Sequence, residues 1–249
     1  MQVHLPKPLH GWREFAGEVG IIVLGVLIAL GAQQIVEAIH WREEVRLTEE
    51  ALTNEIALSI VNAAERKMVD QCLRGRLTHL INKVSSQEAK WSADPMQLAN
   101  TRETRGMVVP APYRTPVRTW DQSVWDSAKS SGILSHMPRE RVVAFSDLYT
   151  SLEGERQSQA REEAAFSTLL YLSFDTPLDA QARRNAMSAL GQLDWLNGTI
   201  VITADQVIDA ARAMHLDFSR TTLHQNVADV ERNQREFRGS CVQHVDIRL

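Results

Sequence analysis

The hydropathy pattern divides the chain into unequal parts. From Val19 to Val36 no side chain carries a charge, and Val19 to Ala32 are all apolar or Gly. At the helical rise this run covers about 27 Å, close to the roughly 30 Å hydrocarbon core of a bilayer. The pattern predicts a tail over 1–18 and an uncleaved transmembrane anchor over 19–39. Trp12 and Trp41 flank it as membrane-interface anchors, about 43 Å apart along a helix. A cleaved signal peptide ending near Ala29-Leu30-Gly31 and a buried core helix are the rivals. Helix-compatible sequence runs on unbroken through Gln33 and Glu37, which favours the anchor. Gly25, Ala29 and Ala32 share one face of this helix and form a small-residue packing surface for a second membrane helix.

Beyond the anchor the period changes. Leu52, Ile56, Ile60, Ala64, Met68 and Cys72 recur every four residues, and Val61, Val69, Leu73 and Leu77 broaden the stripe. This spacing predicts one amphipathic helix over 40–84. Residues 85–118 hold Pro95, Pro110, Pro112 and Pro116. They read as an extended connection, since each Pro disfavours helix at its predecessor, with one short turn near Met96–Ala99. A short Trp-rich helix capped by Thr119 and ended by Gly132 follows. Pro138 then opens a longer helix, whose face runs through Phe145, Leu148 and Leu152 to Ala160, Ala164, Leu169 and Leu172. Its polar middle, "EGERQSQAREE" (153–163), reads as a solvated surface. Thr176 as N-cap with Pro177 at N1 predicts the next helix start. That helix absorbs "GTIVIT" (198–203), because a lone strand has nothing to pair with. A last polar helix spans about 219–237. The fold class expected is all-α: a transmembrane helix continuing into a long antiparallel helical bundle over 40–249, with the Trp helix and the Pro-rich connection covering one end.

Composition changes this picture little. At 44% hydrophobic and 23% charged the chain can build a core, so disorder is excluded. A net charge of −4 and the lack of a basic stripe give no reason to expect nucleic acid. Lys7 and Arg13 before the anchor balance Arg42 and Arg46 after it, so the positive-inside rule does not choose a side. A short tail before a long domain is the layout of a signal anchor, which places the bundle outside the cytoplasm. Cys72 and Cys241 permit one disulfide in an oxidising compartment, although Cys72 on an apolar stripe also suits a buried free thiol.

Candidate chemistry is sparse. Glu37-Ala38-Ile39-His40 is a single Glu-x-x-His, where a di-metal bundle needs two. Zinc, phosphate-loop, dinucleotide and nucleophile-elbow motifs are missing, so no metal, cofactor or catalytic residue is proposed. The densest local chemistry is "YRTPVRTWDQSVWDS" (113–127), with Arg114, Arg118, Trp120, Asp121 and Trp125. Arg beside Trp in a constrained segment can bind an anion or a partner chain. In the structural alternative, Trp fills the bundle end and Arg pairs with the neighbouring Asp.

Gly17-Glu18, Gly25-Val26-Leu27-Ile28-Ala29-Leu30 and Trp41-Arg42-Glu43 together resemble the N-termini of a group of uncharacterised bacterial single-pass membrane proteins. The resemblance covers about thirty residues. It implies a bacterial membrane protein and carries no activity or site residues. The functional expectation is an anchored interaction, scaffold or sensor-like module in the inner membrane, whose partners are the lipid bilayer and either copies of itself or another membrane protein. The alternatives are an accessory subunit of a larger membrane complex, and a ligand-binding bundle or hydrolase with its site near Arg114, Arg118 and Trp120.

Overall fold

The computed structural model describes residues 11–86, 90–93 and 111–247. The predicted turn at 96–99 lies outside them. The apolar N-terminal run and the first bundle helix are one element, α1 (Gly11–Ser85), 75 residues long, or about 112 Å by the helical rise. No Pro falls within it, and the apolar four-residue spacing carries it into the core. Leu52, Ile56, Ile60, Ala64 and Met68 have no exposed surface.

The remaining elements wrap the C-terminal part of α1. They are β1 (Lys90–Trp91), α2 (Ser123–Ser131), α3 (Arg139–Ser167), β2 (Thr176–Pro177), α4 (Ala180–Ala213) and α5 (Arg220–Arg238). Three short 3₁₀ turns (Ile133–His136, Leu170–Ser173 and Gly239–Cys241) join them. α4 packs along both α1 and α3, and α5 packs on α1. Side-chain bonds give the directions. Arg141 reaches Glu49, Tyr149 reaches Glu55 and Glu162 meets Arg66, so α3 ascends beside α1. Arg183 meets the Val84 carbonyl, Asn197 meets Asp70 and Lys67 pairs with Asp205, so α4 descends. The two long helices α1 and α3 are therefore parallel, with α4 antiparallel to both.

This arrangement is possible because the chain returns toward the N-terminal half of α1 before α3 begins. Segment 111–122 descends along α1. Arg76 donates to the Pro112 carbonyl at 2.7 Å and Asn62 to the Thr119 carbonyl at 3.0 Å. The Val124 amide donates to Glu55 at 2.9 Å. At the base, His136 stacks on Trp41 at 3.8 Å. The Trp helix and the end of the Pro-rich connection thus line one side of the bundle, not one end. The distal end is closed instead by β1 and β2, antiparallel with Trp91 opposite Thr176. The Trp91 indole there donates to the Leu172 carbonyl at 2.8 Å.

Several local expectations are corrected. α4 starts at Asp179, whose carboxylate accepts from the Ala182 amide at 2.7 Å, a side-chain N-cap. Thr176 and Pro177 form β2 instead. Thr119 does not cap α2, which begins after Gln122. Gly132 does end α2, in the left-handed conformation that favours Gly (φ 80°). "GTIVIT" is helical, inside α4. Cys72 is not a free thiol. It is bonded to Cys241, and the bond pins the end of α5 to α1. The largest correction lies in the middle of α3. Glu155, Ser158 and Glu162 face inward, while Ala160 and Ala164 are exposed.

Candidate functional site

The predicted site segment starts where Tyr113 and Ala111 enter the core. Arg118 does not pair with Asp121 or Asp126. Its guanidinium makes two 2.6 Å bonds to Glu65 of α1, a carboxylate almost wholly buried. The Gln234 amide of α5 donates to the same carboxylate at 2.9 Å. Gln159 of α3 clamps the Arg118 backbone, accepting from its amide and donating to its carbonyl, each at 3.0 Å. Asp121 accepts instead from the Ser123 amide, and Asp126 pairs with Lys129. Long-range partners thus replace the local Arg–Asp pairing that the sequence suggests.

Trp120 and Trp125 are buried. The Trp120 indole donates to Gln159 at 3.3 Å, and Trp125 stacks on Tyr149 at 5.0 Å with the rings nearly parallel. Their large apolar surfaces fill the side of the bundle. Within 113–127, then, Arg114 and Arg118 face a cleft while Trp120, Trp125 and Asp121 serve the packing.

The cleft holds about 720 Å³ and lies between α1, α3, α5 and segment 114–118. Leu58, Val61, Val117, Phe166 and Phe237 supply apolar walls; Arg114, Arg118, Arg238, Asn62 and Asn233 supply polar ones. Arg238 donates to the Arg114 carbonyl at 3.0 Å and to Gln234 at 2.8 Å, so α5 and the loop meet there. Burial at the wall pulls the Arg114 pKa below its ordinary value. In volume and in its mixture of apolar walls with a few polar groups, the cleft matches small-molecule sites.

Behind the cleft floor lies a polar layer. Arg66 of α1 is 2% exposed and forms a forked pair with Glu162, at 2.9 and 3.1 Å. Burial works against the Arg66 charge, but Glu162 outweighs it and leaves the guanidinium above its ordinary pKa. Asn197 of α4 lies 3.4 Å from Arg66 and donates to Asp70 at 2.7 Å. An Asn that looks like a helix breaker from the sequence is therefore a bridge within a helix. Glu155 is fully buried, and neither of its oxygens accepts a hydrogen bond among the described residues. Burial pushes its carboxyl up to about 8, aided by Glu162 and opposed by Arg66. At neutral pH it is mostly the neutral acid. The sequence does carry a signal for this layer. Ser59, Asn62 and Arg66 in α1, and Glu155, Ser158 and Glu162 in α3, recur at helical spacing, so polar residues have their own inward stripe.

The residues predicted to pack or anchor in a membrane stand apart. Gly25, Ala29 and Ala32 are exposed, with no neighbour packed on them. Trp12 is exposed, whereas Trp41 is held between His136 and its bond to Glu37. Among the described residues no cluster of three or more His, Cys, Asp or Glu is placed to hold a metal. Comparison with protein-family models, with curated proteins and with solved structures finds no match to this chain.

Proposed function

We propose that this chain is a single-pass inner-membrane protein that displays a disulfide-locked helical module outside the cytoplasm, where it binds a partner or ligand as an interaction or sensor-like element. The observation that supports this most strongly is the continuity of α1. An 18-residue window near its N-terminus has a mean hydropathy of 2.3 and no buried residue, and the same helix becomes the core of the bundle. A helix that is at once anchor and core couples events in the bundle rigidly to the membrane. The Cys72–Cys241 bond supports the extracytoplasmic side, because disulfides persist in oxidising compartments. The cleft at Arg114 and Arg118 favours the ligand-binding form of this reading over a passive spacer.

Two measurements test it. A Ser130→Cys variant, at an exposed position of α2, reacts with a membrane-impermeant maleimide added to intact spheroplasts. Labelling only after lysis contradicts the placement. Native mass measurement after gentle extraction finds the chain in an assembly or with a bound molecule. Recovery of the bare single chain contradicts the binding role.

A further inference from the structure

One face of α4 has no partner within its own chain. Among the described residues beyond the N-terminal run, the most exposed large apolar side chains are Trp195 and Ile202, each 62% exposed. They lie seven residues apart, on one side of α4. Ser188, Gly191, Trp195, Gly198 and Ile202 follow one another at spacings of three, four, three and four residues, the seam of a two-helix heptad, and none carries a charge. Gly is the least favoured residue after Pro inside a helix, yet two stand in the middle of this one. A Cβ added to either meets nothing within 4 Å. Packing within the chain therefore does not call for them, whereas a surface approaching closely from outside would. The result is a seam in which absent and large side chains alternate.

We propose that this face of α4 pairs with the same face of a second copy of the chain, the two helices parallel and related by a two-fold axis along the membrane normal. This rests on the reading of the chain as membrane-anchored, and adds the partner and the surface it uses. Two copies anchored in one bilayer both run α4 down toward it, so the two helices meet in parallel. In a parallel seam a side chain enters a hole lined by facing residues at its own level, four before it and three after it. For Trp195 the last two are Gly191 and Gly198 of the second copy, so each indole finds a gap and each gap receives an indole. Ile202 meets Gly198 of the second copy in the same way. A two-fold interface must be complementary to itself, and this alternation meets that condition. The next heptad position, Asp205, pairs with Lys67 of its own chain and ends the seam. Two strips about 21 Å long and 10 Å wide cover on the order of 400 Å², less than the roughly 1,000 Å² of a free-standing interface. Confinement to one membrane raises the effective concentration of the copies and offsets that shortfall.

The test uses the full chain in carbonate-washed membranes. Ser188→Cys, exposed at the end of the seam, is oxidised with copper phenanthroline and read on a non-reducing gel. A parallel two-fold seam brings the two introduced thiols together, so a disulfide-linked dimer of the chain forms. Gln225→Cys, exposed on α5, gives little or none. Adding Gly191→Leu and Gly198→Leu to Ser188→Cys fills the holes and lowers the linked fraction at least about fivefold. The same pair of replacements keeps or raises the urea midpoint of the bundle, because Leu suits a helix better than Gly; loss of pairing is then not loss of folding. Trp195→Ala, which empties the knob, lowers the linked fraction similarly. The proposal is overturned by no cross-link at Ser188→Cys, by an equal cross-link at Gln225→Cys, by a link to a different protein in place of a second copy, or by cross-linking indifferent to the two Leu replacements. Any of these in membranes that retain the chain leaves the anchor standing. Loss of the chain from the washed membranes contradicts the anchor, and the pairing with it.

Discussion

Two segments of this chain reverse the usual relation between hydropathy and burial. The most apolar one, around Val19–Val36, is exposed along nearly its whole length, with Ile21 75% accessible. One of the most polar, 153–163, places Glu155 and Glu162 in the centre of the bundle. On the reading proposed above, each segment is built for a different solvent. An exposed apolar rod is costly in water and stable in hydrocarbon. A buried carboxylate is tolerated only when it is paired or neutral. Glu162 takes the first route through Arg66, and Glu155 takes the second by holding its proton.

The two ends of this comparison break under different substitutions. The largest effect is expected in the anchor. Leu24→Arg combined with Ile28→Arg puts two charges near the middle of the span, each costing roughly 2.5–3.5 kcal/mol of insertion free energy. The double variant should move from the membrane to the soluble or aggregated fraction on centrifugation. Next comes the Cys72–Cys241 bond, whose ends are 169 residues apart in sequence. In the chain-entropy description, closing a loop of that length is worth up to about 5 kcal/mol. Replacing both cysteines by Ser should lower the urea midpoint of the bundle accordingly and release α5 first, seen as faster hydrogen exchange over 220–238.

Within the polar layer, Arg66→Met leaves Glu162 buried without its partner. It should cost about 3–5 kcal/mol in urea unfolding. Adding Glu162→Leu should restore most of that loss, because a well-packed apolar pair replaces an ion pair at little cost. If the double variant is no better than Arg66→Met, the pair also specifies the packing of α1 against α3.

The smallest effect is a pH dependence. Glu155 has a raised folded-state pKa, so its protonated form is favoured in the folded chain. The corresponding stability is fully present below the unfolded value of 4.5 and is lost as pH rises through about 8. Stability should fall by roughly 3 kcal/mol between pH 5 and pH 7.5 at 1.36 kcal/mol per unit. Glu155→Gln should flatten that slope when thermal or urea midpoints are compared at the two pH values. An unchanged slope places the ionised carboxylate in a better-solvated site than the geometry indicates.

Much of the architecture is legible in the sequence because it rests on apolar periodicity and on the absence of breakers. Both features predict α1 and α4, including the helical state of 198–203. What the sequence hides is the partner of each polar residue. Arg118 finds Glu65, Arg66 finds Glu162 and Asn197 finds Asp70, all across gaps in sequence that no local pattern encodes. Hydropathy likewise assigns Glu155 to water and Ala160 to the core, the reverse of their positions, because it weighs each residue without its partner. The start of α4 is hidden for a similar reason. Thr176-Pro177 resembles a helix start until Lys90–Trp91, far upstream, claims it as a strand. At the candidate site the arginines are visible in the sequence, but the cleft they face needs α5, which folds in from the other end of the chain.

The most direct test of the anchor is the state of its apolar segment in the native protein. Membranes carrying the chain are washed with alkaline carbonate, and the retained protein is digested and mapped by mass spectrometry. The account predicts that the chain stays with the membrane pellet, with residues 15–40 still joined to the bundle. A soluble chain, or one that begins near Gly31, contradicts it.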